Sequence, residues 1–568
     1  DIGGVVGMSS RGNWSHEAKM LLLLDGQEMN DLSFGNTEFG QHYDINQIEK
    51  IEIMRSPGSS LYGGFASLGV INIITKNGNA LKGVNVTGTY GFLKDTYARR
   101  NASIAIGNNT GNVTYSLSGY FGQGRRSDQD YTDAQGDMVN LKDNTKIYPG
   151  MLNGALQIKD FSARFIYDSY AINSPWFYNA IQTPLEKHSN RGFYTEAKYE
   201  WKPTSELTII PKLNFKSTTP WKSEPNSSIE YYEVLTSRLS PSVNLNYNLS
   251  AQLNFVAGID AYFDHAERKH GFDPNFYNGT KDLSFYDIGL FGQVHFKNEY
   301  LPLFVGARMD RHSQFGTAFS PRIGITKVFD AWNFKALYSR SFRTPALENL
   351  NKNINLKPEY TNVAEVEIGY QLTNNMSIKA NVYDIRITDP IVFSFNDEFP
   401  FGNFINENNT GTKGLELEYS YKSKFGFIAA NYAYFSAKNR NYVTAYQVPE
   451  HDNNLLAWPA GKLNIYGSLN LSENMSLSPT ITYLSSRYAF TQFDANGALI
   501  LKKNPETVYF NLFFQNRNLL TKGLDVGVGI NDISNQRQLF IQPYNSASAP
   551  LSGVGREILV RMSYTIPY

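Results

Sequence analysis

Ile48 to Lys76 read IEKIEIMRSPGSSLYGGFASLGVINIITK, and no other stretch of the chain is as specific. It reads as strand, tight loop, strand. Ile48, Ile51 and Ile53 belong to the first strand, and Pro57-Gly58 and Gly63-Gly64 punctuate the loop. Val70 to Thr75 is a short β-branched run of the kind a buried strand carries. Upstream, MLLLLDGQEMN (Met20 to Asn30) is an apolar run that stops at Asp25-Gly26.

Outward from this core the chain changes character. No apolar run approaches the roughly 18–20 residues that a spanning helix needs; the densest, Met20 to Leu24, is stopped by Asp25. That excludes a helical membrane protein. It leaves open a membrane β-barrel, whose strands alternate lipid-facing and lumen-facing residues and average out as polar. The 37 Tyr and 37 Phe suit the aromatic girdles of such a barrel. With 52 basic and 52 acidic residues the formal charge is zero, which argues against a nucleic-acid binder. The absence of cysteine excludes a disulfide scaffold and thiolate chemistry. No export signal stands at Asp1, so a processed or truncated product is expected.

From Gly83 onward alternating segments dominate. In Glu557 to Tyr568, Ile558, Val560, Met562, Tyr564, Ile566 and Tyr568 form one face; Glu557, Arg561, Ser563 and Thr565 form the other. Leu524, Val526, Val528 and Ile530 oppose Asp525, Gly527, Gly529 and Asn531 in the same way. Short turn signals recur at Asn108-Asn109, Lys159-Asp160, Pro203-Thr204, Asn248, Asn298, Asp330, Asn374-Asn375, Ser423, Glu473-Asn474 and Asn518. Each interval holds two strands and a longer loop, so the count gives about 22 strands. The expected architecture is all-β: an antiparallel transmembrane barrel over 81–568, preceded by a separate N-terminal domain, 1–80. Long loops are expected at Gln123–Gly150, Asn173–Asn190, Ala266–Leu283, Ile391–Thr410, Asn439–Trp458 and Ser534–Gly555.

The Ile48–Lys76 stretch closely resembles the end of the plug domain of TonB-dependent outer-membrane receptors, and Met20–Asn30 resembles a plug strand of the same family. The terminal aromatic, Tyr568, resembles the assembly signal of outer-membrane barrels. The resemblance implies a 22-stranded barrel in the outer membrane of a Gram-negative bacterium, with residues 1–80 as a plug domain in its lumen. It implies import of a scarce nutrient, with the TonB complex of the inner membrane as energising partner. The TonB box is expected upstream of Asp1. A small nutrient ligand and outer-membrane lipids are the other implied partners, with a surface lipoprotein open. A ferric siderophore or similar metal complex is the first expectation for cargo. Haem, cobalamin, and a peptide or glycan remain alternatives.

Alternation gives direction to four glutamates. Ala364, Val366 and Ile368 face lipid, so Glu365 and Glu367 point inward; Leu415, Leu417 and Tyr419 face lipid, so Glu416 and Glu418 do too. Carboxylates there need partners. Arg11 in SSRGNW and Arg55 in IMRSPG match arginines of the family's plug motifs. The latch expected from that resemblance is Arg11 and Arg55 with Glu367 and Glu416. Ordinary wet lumen residues are the alternative.

Aromatic loop residues are the candidate ligand contacts: Trp176, Phe177, Tyr178, Trp221, Phe393, Phe395, Phe399 and Phe401. Several could instead belong to the outer girdle. His265 and His270 could share a metal or haem iron, or be solvated loop residues; His42 is a third such candidate. Asp128, Asp130, Asp133, Asp137 and Asp143 could gather calcium in the 125–143 loop, although their spacing is not that of an EF-hand. Tyr338 to Glu359 resembles the region that carries a histidine ligand in haem receptors, and here holds no histidine. No GxSxG, HExxH, P-loop or Rossmann fingerprint occurs, so no enzyme, resident cofactor or metal is expected. A passive porin is the rival class, against which the plug strands argue.

Overall fold

A computed structural model describes residues 8–15, 17–36, 39–177, 180–223, 232–270, 279–394, 402–542 and 546–568, without the side chains of 175–177, 180, 182–186, 221, 223 and 232. The apolar run Met20–Leu24 is a strand buried along its whole length. It pairs in parallel with Gly69–Thr75, Leu21 opposite Val70 and Leu23 opposite Asn72. Ile48–Met54 adds antiparallel to the far side of Gly69–Thr75, and Gln27–Glu28 completes a four-stranded sheet on the other flank. Asp25 ends the run because its carboxylate accepts from the Thr75 amide at 2.8 Å and the Thr75 hydroxyl at 2.7 Å. Ile48–Met54 is left as an edge strand with Ile51 51% and Ile53 63% exposed.

Around this plug 22 antiparallel strands form a closed barrel. The helical turn Gly78–Leu81 leads into the first strand, Gly83–Phe92, which pairs with the last, Glu557–Pro567. Closure leaves no barrel edge unpaired, as a hydrocarbon surrounding requires. The alternation behaves as the physics demands: Ile558, Met562, Tyr564 and Ile566 face outward, while Glu557 is buried inside and takes two hydrogen bonds from Arg99. The ten turn signals fall in or beside ten of the short turns, from Thr110 between the strands Tyr97–Asn109 and Val113–Arg125 to the turn after Asn516. No described helix is long and apolar enough to cross a membrane.

Two loop expectations are corrected. The first five residues of Ala266–Leu283 belong to the strand Leu253–His270. Asn173–Asn190 is not a loop: Phe161–Phe177 and Ala180–Tyr199 run through it as paired strands, with one register shift between Ser174 and Trp176. Five consecutive strands of this side, from Phe161–Phe177 to Leu253–His270, are 17 to 20 residues long, beyond the 9–11 or so that cross a bilayer. Ladder pairing continues past the membrane because the alternation does. One outer feature was not anticipated as a loop, the hairpin Arg487–Phe493/Leu499–Asn504; the loop within Tyr338–Glu359 carries the short helix Leu347–Lys352.

Candidate functional site

The plug is fastened to the wall by ionic clusters. Ser9–Ser10 and Asn13–Trp14 form a tight hairpin whose turn holds Arg11 at φ 53° and Gly12 at φ 82°. A side chain at Gly12 would be strained and would strike the Phe435 ring, with a Cβ only 2.7 Å from it. The turn thrusts Arg11 outward. Its Nε and one terminal nitrogen donate to both oxygens of Glu416 at 3.0 Å, and its other terminal nitrogen donates to Glu365 at 2.9 Å. The guanidinium lies 4.3 Å from the Tyr383 ring centre. Burial alone would lower the Arg11 pKa; Glu416 and Glu365 outweigh that and raise it, so the cation is fixed. Lys335 and the Ser56 hydroxyl complete Glu365, and Asn381 completes Glu416. Arg55 pairs with Glu418 and lies 3.6 Å from Glu416, with its side chain half exposed.

Four further fastenings tie the plug to the wall. Lys19 meets Glu359 at 3.3 Å beside Arg343, which donates to the Glu17 carbonyl; these side chains are almost wholly buried. Glu28 takes Lys216 and Arg238, and the latter also pairs with Asp264. Burial would raise the Glu28 pKa, but the two cations bring it down. Asp25 accepts from Arg164 at 2.6 Å, and His42 Nε2 meets Asp168 at 2.6 Å, stacked against Tyr170. On the outer side, the amides of Leu347 and Glu348 donate to the Leu32 and Ser33 carbonyls.

Between plug, wall and loops lies an outer cavity of 470 Å³. Gly40 and Gln41 of the plug form its floor. Arg99, Lys462, Thr482 and Asn511 line its wall, and Arg125, Arg126 and Gly553–Gly555 come from the loops. Arg126 is buried, which pulls its pKa down to about 10 and still leaves it charged at neutral pH.

Arg11, Arg55 and Glu416 come together; Glu365 and Glu418 complete the group, whereas Glu367 joins no ion pair among the described residues. The reason is strand tilt. Glu367, Asn381 and Glu416 lie in one register row. Barrel strands lean about 35–45° from the axis, so the residue level with Glu416 two strands away is Glu365, one pair up. Lys19, Glu28 and His42 were not read as fastenings; Lys19, set among apolar residues just before MLLLL, was the available signal for one.

The other expected contacts separate. Tyr178, Phe395, Phe399 and Phe401 lie outside the described residues, as do the side chains of Trp176, Phe177 and Trp221. Phe393 is buried against Phe404, Leu350 and Ile391, packing two outer loops together rather than presenting a ring to a cavity. His265 and His270 do not form a pair. His265 stands exposed beside the Ser284 hydroxyl, and His270 lies 3.8 Å from Glu233 beyond a bulge, because both belong to the strand Leu253–His270 instead of a loop. The acidic run 125–143 is a hairpin in which the carboxylates disperse. Asp128 holds Arg537, Asp133 caps backbone amides, and Asp143 holds Arg125. No metal-holding cluster occurs among the described residues.

Comparison with known proteins agrees with this geometry. Residues 2–70 match the TonB-dependent Receptor Plug Domain, and residues 260–533 match the family described as TonB dependent receptor-like, beta-barrel. The vitamin B12 transporter BtuB of Vibrio vulnificus (strain YJ016) is 22% identical over 414 residues, covering 70% of this chain and 64% of that protein. BtuB of Vibrio cholerae (strain M66-2) is 24% identical, covering 70% and 63%. The chain thus spans less than two thirds of these relatives' length. A variant of the ferric enterobactin receptor PfeA of Pseudomonas aeruginosa shares the fold with TM-score 0.78 at 15% identity, covering 100% of this chain and 94% of that one. The siderophore receptor PirA of Acinetobacter baumannii gives 0.77 at 14% identity, covering 99% and 94%.

Proposed function

Because this chain belongs to the TonB-dependent receptors, we propose that it imports a scarce nutrient across the outer membrane of a Gram-negative bacterium, driven by the TonB complex of the inner membrane. The observation that carries this is a closed barrel whose lumen is filled by a plug held through Arg11 to Glu365 and Glu416. A buried ion pair adds little net stability, yet losing one partner costs roughly 3–5 kcal/mol. Such a fastening suits a part that is seated in one position and released by pulling. A passive porin has no use for it.

The cargo we propose is an anionic metal chelate, a ferric siderophore first. Arg99, Arg125, Arg126 and Lys462 outnumber Glu557 and Asp532 in the lining of the outer cavity and give it a positive face, with Arg99 held by Glu557 and Arg125 by Asp143. A corrinoid is the second reading, favoured by the relatives named as vitamin B12 transporters. Native mass spectrometry with absorption spectroscopy on protein purified from iron-limited cells tests the choice. A bound ferric chelate is expected. A bound corrinoid moves the assignment to the second reading. Protein that stays empty when challenged with ferric chelates, haem and cobalamin overturns the metal-complex reading.

A further inference from the structure

The wall does not hold the plug evenly. Every ionic fastening described above reaches a strand between Phe161–Phe177 and Thr410–Ser423. The next five strands are Gly426–Ser436, Gly461–Asn470, Met475–Leu484, Thr507–Asn516 and Leu524–Asn531. Among the described residues, no hydrogen bond or ion pair joins the plug to this arc. Its contacts with the plug side are apolar and sit at the outer end: Phe435 beneath Gly12, and Trp458, just before the second strand, 5.7 Å from Trp14.

The cross-strand registers show what faces the lumen there. Glu416 pairs with Ala433, which pairs with Lys462; Asn431 pairs with Asn464, Asn464 with Thr482, and Tyr466 with Thr480. Between Lys462 at the outer end and Asp525 at the inner end this face bears no charge. Two cavities open onto it. The outer one reaches Lys462, Thr482 and Asn511. The inner one, 510 Å³, lies between Ala429, Asn431 and Tyr466 of the arc, Lys379, Glu416 and Glu418 of the strands beside it, and Ile53 and Arg55 of the plug. Ile53 belongs to the edge strand of the plug sheet, which has a partner on one side only and is thus the strand that can leave at least cost. Its tether is Arg55, half exposed, whereas Arg11, which shares Glu416 with it, is buried.

We infer that cargo crosses on one side of the plug, along the lumen face of the five strands from Gly426 to Asn531, from the outer cavity to the inner one. Hydroxyls and amides on that face exchange hydrogen bonds with a polar, oxygen-rich solute without trapping it. The charges of the opposite side would hold an anion fast or repel it, and the cavity between plug and wall there is only 150 Å³. Arg55 is the release point, since freeing it from Glu418 and Glu416 lets Ile48–Met54 move away from the arc while the buried clusters keep the rest seated.

The inference rests on the import reading, but its test does not need TonB. The chain has no cysteine, so a single introduced thiol is a unique handle. Thr480→Cys on the neutral arc and Asn244→Cys on the ion-paired side, both partly exposed to the lumen, would each be labelled with a bulky maleimide in the purified full chain. Current through planar bilayers would then be read while low urea loosens the plug. The label at Thr480→Cys is expected to cut the current several-fold and the label at Asn244→Cys to leave it within twofold. Equal or stronger block at Asn244→Cys overturns the route. So does a silent bilayer at urea concentrations that already release hydrogen-exchange protection in 48–54. The import reading fails separately, by empty protein in the ligand test above.

Discussion

The strands carrying Arg164, Asp168, Lys216, Arg238, Glu359 and Glu365 and the strands from Gly426 to Asn531 follow one alternation rule, yet they meet the plug in opposite ways. On the first side, charged groups of wall and plug are buried against each other: Lys19, Arg343 and Glu359 are almost fully enclosed. On the second, the lumen face is neutral and cavities separate it from the plug. The contrast teaches that a plug need not be gripped all round. Desolvated charges give little net energy, but they punish any misplacement, so one ion-paired side fixes the register. The neutral side can then stay loose without letting the plug slip.

This comparison can be broken at several points. The largest effect is expected at Arg343→Ala, which leaves Glu359 buried with Lys19 as its one cation and the Ile391 amide as its other donor; plug docking should weaken by about 3–5 kcal/mol, read as lost hydrogen-exchange protection in residues 17–24. Arg11→Ala should cost less, about 2–3 kcal/mol, because Lys335, Ser56 and Asn381 still satisfy Glu365 and Glu416. If it proved costlier than Arg343→Ala, the ranking by burial would be wrong.

Acidity sharpens the same picture. Asp31, buried in the plug and accepting from the Phe34 and Asn36 amides, has its pKa pushed by burial up to about 6 from 3.8. The folded state therefore holds this proton more tightly than the unfolded one. Its contribution is complete below the ordinary carboxylate value, falls by roughly 1.4 kcal/mol per pH unit as pH rises toward 6, and is gone above that. Denaturation of the plug followed from pH 4 to 7 should show this falling limb, and Asp31→Asn should remove it. The smallest effects are reserved for Glu367→Gln, within about 0.5 kcal/mol, and for Lys50→Ala, whose exposed pair with Glu52 should leave melting unchanged. A loss at Glu367→Gln as large as at Glu365→Gln would contradict the tilt argument. Thermal melting of both variants decides it.

The plug strands, the barrel, its strand number and nearly every short turn were legible because each rests on local pattern: β-branched runs, period-two alternation, Asn and Asp at turns. Inward direction of Glu365, Glu367, Glu416 and Glu418 followed from the same period. Their partners did not. Choosing Glu365 over Glu367 needs the lean of the strands, which no window of sequence contains. His265 and His270 looked like loop residues because strands were expected to stop near the bilayer; the ladder in fact carries both beyond it. Phe393 looked like a ligand contact, and only the approach of Phe404 and Leu350 turned it into packing between loops.

By itself, then, the sequence determined the architecture and the family, since alternation and plug motifs are properties of consecutive residues. Which side of the wall is ionic and which is neutral was settled only by closure of the barrel around the plug. Closure sets Lys19 beside Glu359 and Arg11 beside Glu416, hundreds of positions apart, and leaves Asn431 and Thr482 facing open space. Those distances depend on tilt, register and the seating of the plug together, and none of the three is encoded within a single strand.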